Sequence, residues 1–302
     1  MDFELKNIPS QKGRVAIVTG ANNGIGFETT LALANYGFKV IMACRSLEKA
    51  EKAKSAILEK LPNADLDILQ LDLSDLNSVK TFAQQFKDNY SKLDVLINNA
   101  GVLIYSGKKN KEGIELQFAT NHLGPFLLTN LLFELIPDDS NSRIVALSSL
   151  AHKGAKIHFD DLSCEKSDDP DAAYGQSKLA NLMFADELNR RLKKSGKEIV
   201  ALAVHPGGSD SGLFDEMSKL KYYTFKILSP LILNSNAAAA KPSLFAALSP
   251  NVKGGEYFGP QGFQEFKGKV GVAKRSEYSK REDVAVDLWK LSEEMTGQPF
   301  LR

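Results

Sequence analysis

Short apolar runs alternate with longer amphipathic stretches along most of the chain. Arg14-Val-Ala-Ile-Val-Thr19 opens the series, and its nearly unbroken apolar character suits a strand buried on both faces. Phe38-Lys-Val-Ile-Met-Ala-Cys44, Leu66 to Leu71, Leu93-Asp-Val-Leu-Ile-Asn98, Arg143-Ile-Val-Ala-Leu-Ser148 and Glu198-Ile-Val-Ala-Leu-Ala-Val204 predict further strands. Between the first four runs the spacing predicts three helices. One extends from Phe27 to Tyr36 and is closed by Gly37; the next is capped by Ser46 and runs to about Lys60. The third is opened by Ser74 and runs to about Tyr90. Farther on, the pattern predicts a helix from Asn234 to Leu248 and a last short strand in Gly254-Gly-Glu-Tyr-Phe258. A C-terminal amphipathic helix over Arg281 to Met295 carries the only tryptophan, Trp289, expected to anchor it to the core. Strands that alternate with helices imply βαβ units with right-handed crossovers. The expected fold is α/β: one doubly wound, mostly parallel sheet with helices on both faces, without a linker or repeat to mark a second domain.

Composition narrows the class of function. Of the 302 residues, 43% are hydrophobic and 25% charged, as in a globular protein with a sizeable core. The 38 basic and 37 acidic residues nearly cancel, so nothing points to a nucleic-acid partner. Two cysteines, Cys44 and Cys164, offer no disulfide framework, and four scattered histidines offer no metal-site spacing. No apolar run reaches the ~18 residues of a transmembrane helix, and Met1 to Gln11 is too polar for a signal peptide. The expectation is a cytoplasmic protein without a metal.

Chemistry enters at the end of the first strand. Gly20, Gly24 and Gly26 lie in Thr19-Gly-Ala-Asn-Asn-Gly-Ile-Gly26, between a predicted strand and a predicted helix. Glycines permit a tight turn and close approach to a pyrophosphate, and the helix N-terminus offers free N–H groups to the anion. The expectation is a dinucleotide cradle that includes Asn22, Asn23 and Ile25. The end of the second strand bears on which dinucleotide. A carboxylate there favours NAD, but the position 18 residues after Gly26 holds Cys44, with Arg45 beside it. A guanidinium grips a 2′-phosphate bidentately, and Lys49 lies one helical turn on, so NADP (as NADPH) is the expected cofactor.

Farther along, Tyr174-Gly-Gln-Ser-Lys178 begins a long amphipathic run. On a helix Tyr174 and Lys178 share one face, and an ammonium beside a phenol favours the phenolate. Such a pair gives a proton to a carbonyl or takes one from an alcohol.

In sum, these motifs resemble those of a short-chain dehydrogenase/reductase with a Rossmann fold, over roughly residues 12 to 260. Thr19 to Gly26 is similar to the family's cofactor turn. Asp72, with Leu73 beside it, matches the acid that contacts the adenine amine. Asn98-Asn99-Ala100-Gly101 matches the signature at the end of the fourth strand, and His205-Pro206-Gly207 the turn flanking the nicotinamide. Asn121, Ser149, Tyr174 and Lys178 match the catalytic tetrad. The resemblance implies that Tyr174 exchanges the proton, and that Lys178 lowers the Tyr174 pKa and holds the nicotinamide ribose. It further implies that Ser149 donates a hydrogen bond to the substrate oxygen, and that Asn121 fixes a local helix distortion and a water linking Lys178 to solvent. Ser148 is the rival to Ser149; strand alternation points the two opposite ways, and the resemblance selects Ser149.

Twenty-five residues separate Ser149 from Tyr174. That long loop is similar to the group containing retinol dehydrogenases, the WW-domain oxidoreductase and light-dependent protochlorophyllide reductase. Asn121-His-Leu-Gly124 and Ser177-Lys-Leu-Ala-Asn181 point the same way. His152 in the loop is expected at the surface. Membrane-bound retinol dehydrogenases carry an N-terminal anchor; none is expected here, so retinoids are not the expected substrate. Ser211 stands where the family has a threonine that binds the nicotinamide carboxamide. Leu213 to Leu233, inside a span of about 208–235, is rich in Phe, Tyr, Leu and Ile. It reads as a substrate lid suited to an apolar compound, as core packing or as a subunit contact.

The leading reading is an NADP-dependent reductase or dehydrogenase acting on a small carbonyl or alcohol substrate. A light-driven double-bond reductase and a cofactor-sensing regulator are the alternatives. The family's use of the Asn121 and Tyr174 helices as subunit contacts leaves a homo-oligomer open.

Overall fold

Each predicted apolar run becomes a strand: β1 (Val15–Thr19), β2 (Lys39–Cys44), β3 (Leu66–Gln70), β4 (Val95–Asn98), β5 (Arg143–Leu147), β6 (Val200–Val204) and β7 (Tyr257–Pro260). The computed structural model describes residues 8–104, 107–166, 171–208 and 234–301. Among these, the strands form one eight-stranded sheet in the order β3-β2-β1-β4-β5-β6-β7-β8. The first seven are parallel, and β8 (Val270–Val272) pairs antiparallel to β7. The pattern did not predict β8: three residues beside lysines and glycines carry no readable period. The α/β Rossmann-like, mostly parallel architecture is the one expected.

The apolar runs are unbroken because both faces are covered. On one face Ile17, Ile41, Leu96, Ile144 and Ala201 join a core with Phe82, Phe126, Leu188 and Trp289. On the other, Val18, Met42, Ile97, Val145 and Leu202 pack with Leu33, Ile57 and Phe245. Successive residues of one strand thus enter different cores, as the two-residue period requires.

The helices are α1 (Gly24–Asn35), α2 (Leu47–Lys60), α3 (Leu76–Asn89), the single turn α4 (Leu116–Phe118), α5 (Gly124–Leu132), α6 (Ala172–Lys194), α7 (Asn236–Leu248) and α8 (Glu282–Thr296). Several starts differ from prediction; α7, for one, begins at Asn236 behind its Ser235 cap instead of at Asn234. Helix α1 begins at Gly24 instead of Phe27, because Asn23 caps it and accepts the Gly24 N–H at 2.8 Å. Helix α3 is capped by Asp75 instead of Ser74, with Asp75 Oδ1 accepting from Asn77 and Ser78. Between α4 and α5 the chain widens into a π-helical segment, Ala119–Leu123.

Helix α8 packs along α6 and touches that π segment. Trp289 stacks on Phe184 and Phe300 and meets the edge of Phe126. Its indole N–H donates to the Phe300 carbonyl at 3.1 Å, so the helix is anchored to the core as its pattern implies.

Candidate active site

The strand order reverses between β1 and β4, and the crevice beyond the carboxyl ends of such strands is where α/β sheets bind ligands. Thr19 ties the two ends together: its Oγ1 accepts the N–H groups of Asn99 and Ala100 at 3.0 and 2.9 Å. Asn99 Nδ2 donates back to the Thr19 carbonyl at 2.8 Å. Over this junction lies a cleft of about 230 Å³, walled by Gly20, Asn22, Asn23, Ile25, Gly26, Asn99, Ala100, Gly101, Leu147, Ser148, Tyr174, Lys178 and Pro206.

Two glycines make the cleft. A Cβ on Gly26 would stand 2.2 Å from the Gly20 carbonyl oxygen, and one on Gly101 would stand 2.8 Å from Lys178 Nζ. Any side chain at either place displaces the turn or the lysine. Ile25 and Gly26 stand in the first turn of α1, where N–H groups have no intrahelical acceptor, so an anion in the cleft meets free donors.

A second cavity of about 190 Å³ shares Gly20, Asn22, Ala100 and Gly101 with the first and continues past Arg45, Ser46, Lys49, Asp72 and Leu73. Arg45 and Lys49 are exposed at its rim. Cys44 is buried beside them, and burial pushes its thiol up to about 11, so it stays neutral. Asp72 Oδ1 accepts from both the N–H and the hydroxyl of Ser74, which holds the carboxylate at the cavity wall. The joined cavities fit an extended dinucleotide, with glycine-lined backbone in the middle and cationic side chains at one end.

At the other end stand Tyr174 and Lys178. Tyr174 is half-buried and Lys178 buried, with Nζ 5.7 Å from the phenol ring centre. The ammonium donates to the Leu147 carbonyl at 3.3 Å, and burial pulls it down to about 8, still charged at neutral pH. Asn121 lies in the π segment, with its side chain turned to the chain after β4. Its Oδ1 accepts the Val102 N–H at 2.8 Å, and its Nδ2 donates to the Val102 carbonyl at 3.0 Å and to Ser177 Oγ at 2.9 Å. The distorted helix expected around Asn121 is present, and its side chain links the α4–α5 segment, the β4 loop and α6.

Ser148 and Ser149 do point to different partners. Ser148 is buried and its hydroxyl donates to the Lys178 carbonyl at 2.7 Å. Ser149 has extended backbone (φ −153°, ψ 163°), and its Oγ accepts the Ala151 N–H at 3.2 Å, which leaves its own proton to donate. The cleft wall is formed by Leu147 and Ser148, and Ser149 stands one residue beyond. From Leu150 a separate cavity of about 460 Å³ opens against Lys153, Gln261, Glu265 and Phe266.

His152 corrects an expectation. It is fully buried, held beneath Ser149 by residues more than a hundred positions away. His205 Nδ1 accepts the N–H of Gly207, two residues on, at 3.2 Å, and Pro206 between them lines the cleft. Ser211 and the expected lid over Leu213 to Leu233 lie outside the described residues. Val102 and Thr120, not singled out from the sequence, line the second cavity. Their only signal was adjacency, Val102 to Gly101 and Thr120 to Asn121.

Residues 14–221 match the short chain dehydrogenase family. The chain belongs to that family. Retinol dehydrogenase 12 of Mus musculus is 39% identical over 290 residues, covering 94% of this chain and 87% of that one. The short-chain dehydrogenase TIC 32 B of Brassica napus, described as chloroplastic, is 40% identical over 259 residues, 82% of this chain and 80% of its own. A crystal structure of an uncharacterised protein from Mycobacterium paratuberculosis superposes with a TM-score of 0.82 at 36% identity, covering 99% and 98% of the two chains. These relatives put the chain in the retinol dehydrogenase-like subgroup. As a short-chain dehydrogenase it is an oxidoreductase that uses a nicotinamide cofactor. Among the described residues no helix is long and apolar enough to cross a membrane.

Proposed function

We propose that the chain is an NADP-dependent reductase of carbonyl compounds, or dehydrogenase of the matching alcohols, with Tyr174 as its acid and base. One observation carries the reading: a single cleft joins the glycine turn of α1 to Tyr174 and Lys178.

When bound, the nicotinamide supplies or accepts the hydride. The chain's own residues handle position and protons. Tyr174 gives its phenolic proton to the substrate oxygen in reduction and takes it back in oxidation. Lys178, a cation at neutral pH, stabilises the phenolate left behind. Ser149, whose Oγ accepts the Ala151 N–H, donates a hydrogen bond from its hydroxyl to the oxygen as negative charge develops and keeps its proton, an interaction that counts most where water is scarce. Ser148 is unsuited to that role because its proton is committed to a backbone carbonyl. Asn121 keeps the β4 loop and α6 in register, so that Gly101 stays beneath Lys178. Arg45 and Lys49 grip a 2′-phosphate at the far end of the joined cavities.

The substrate is a small organic molecule, and the names of the relatives put retinal and retinol on the first panel. The test follows NADPH and NADH oxidation against aldehydes, ketones and quinones. Turnover with NADPH that far exceeds turnover with NADH supports the reading. Equal rates with both cofactors remove the role of Arg45, and cofactor binding without turnover of any carbonyl overturns the reductase.

A further inference from the structure

The turn that carries Ser149 is held from beneath. His152, three residues on, is fully buried, and its Nδ1 lies 2.6 Å from the Ser149 carbonyl oxygen. Its Nε2 accepts the Ser276 N–H at 3.4 Å. A ring nitrogen that accepts carries no proton, so the neutral imidazole has its proton on Nδ1 and donates it to Ser149. The Tyr257 hydroxyl lies 3.4 Å from the same carbonyl oxygen, and its ring meets His152 edge-on at 5.3 Å. Tyr257 is itself buried in β7, with His205 against it at 5.2 Å. The next residue along the turn, Lys153, pairs with Glu265 at 2.5 Å, a second tie to the β7–β8 connection.

The consequence for Ser149 is geometric. With its carbonyl clamped, its backbone is fixed in the extended form, and Oγ moves only about χ1. The Ala151 N–H then selects the rotamer. We propose that His152 is a positioning residue for Ser149: its Nδ1–H holds the Ser149 carbonyl and thereby aims the Ser149 hydroxyl at the substrate oxygen. Tyr257 is the second jaw of the same clamp. This rests on the reading of Ser149 as the hydrogen-bond donor in reduction.

Two measurements test it. The first does not depend on turnover: 15N NMR of the histidine-labelled protein, in which the chain's four histidines give few signals to assign. A pyrrole-type Nδ1 and a pyridine-type Nε2 at His152 support the clamp, and the opposite tautomer overturns it. The second is a kinetic cycle with NADPH and the best carbonyl of the panel. An asparagine amide overlays Nδ1 and a glutamine amide overlays Nε2, so the two variants separate the contacts. His152→Gln is expected to lower kcat about tenfold with NADPH affinity within twofold, while His152→Asn stays within about threefold of wild type. In a Ser149→Ala background His152→Gln costs less than twofold more. Equal losses in both backgrounds, or Asn no better than Gln, overturn the proposal. Should His152→Gln fail to fold, Tyr257→Phe keeps the ring and removes one jaw. A several-fold fall in kcat that vanishes in Ser149→Ala supports the clamp, and an unchanged kcat overturns it. A Ser149→Ala variant with full activity removes the serine reading itself, and the inference falls with it. That outcome is distinct from a serine that matters and a histidine that does not.

Discussion

The two ends of the sheet build their parts of the site in opposite ways. On the β1–β4 side nearly every contact is made by neighbours in sequence or by adjacent strand ends. Asn23 caps the helix that follows it, Ser74 holds Asp72, and Thr19 gathers Asn99 and Ala100. On the β5–β8 side the parts are brought together from far apart. His152 meets Tyr257 and Ser276, Lys153 meets Glu265, and His122 bonds Ser292 at 2.9 Å across 170 positions. A local motif can be altered without loosening the rest of the fold. A cluster assembled from distant segments couples the geometry of the site to the stability of the C-terminal elements.

The largest effect expected from that difference is on stability. Trp289→Ala should cost about 3–5 kcal/mol in chemical denaturation, since it empties the seam between α8 and α6. NADPH affinity should stay within twofold, and a hundredfold loss would show that the two ends are not separable. Acid should find the same end. Burial pulls the imidazole of His122 down to about 3 and that of His205 to about 4, so the folded state holds fewer protons than the unfolded chain below pH 6.5. Stability is then fully present above about pH 6.5 and is lost as pH falls through 4 and 3, by about 3 kcal/mol from His205 alone. His205→Asn, which keeps an acceptor for the Gly207 N–H, should flatten the fall of Tm with pH between 6.5 and 4. Parallel curves for the variant and the wild type would rule His205 out as a source. The smallest effect is confined to the local end. Arg45→Asp should raise the Kd for NADPH about a hundredfold, leave NADH within threefold and leave Tm unchanged, because Arg45 is exposed. Equal losses for both cofactors would place the 2′-phosphate elsewhere.

The same contrast explains what the sequence disclosed. The strands were legible because Ile17, Ile41 and Leu96 face one core while Val18, Met42 and Ile97 face the other, which leaves an unbroken apolar run. The glycine turn and the Tyr174–Lys178 pair were legible because a few consecutive residues make them. His152 was misplaced because Ala151-His-Lys-Gly154 has no period that marks a buried side. Only the fold of β7 and β8 over that turn buries it. Strand β8 went unseen because its pairing with β7, not its composition, makes it a strand. The hydrogen bond from Ser148 to the Lys178 carbonyl, a contact across 30 positions, was likewise out of reach of the sequence pattern.

The most direct test of the account compares Tyr174→Phe with wild type for both NADPH binding and NADPH-dependent carbonyl reduction. The aromatic ring stays beside Lys178 without its hydroxyl, so the Kd for NADPH should remain within about threefold while turnover falls by about a thousandfold or more. Turnover that survives the loss of the Tyr174 hydroxyl would contradict the account.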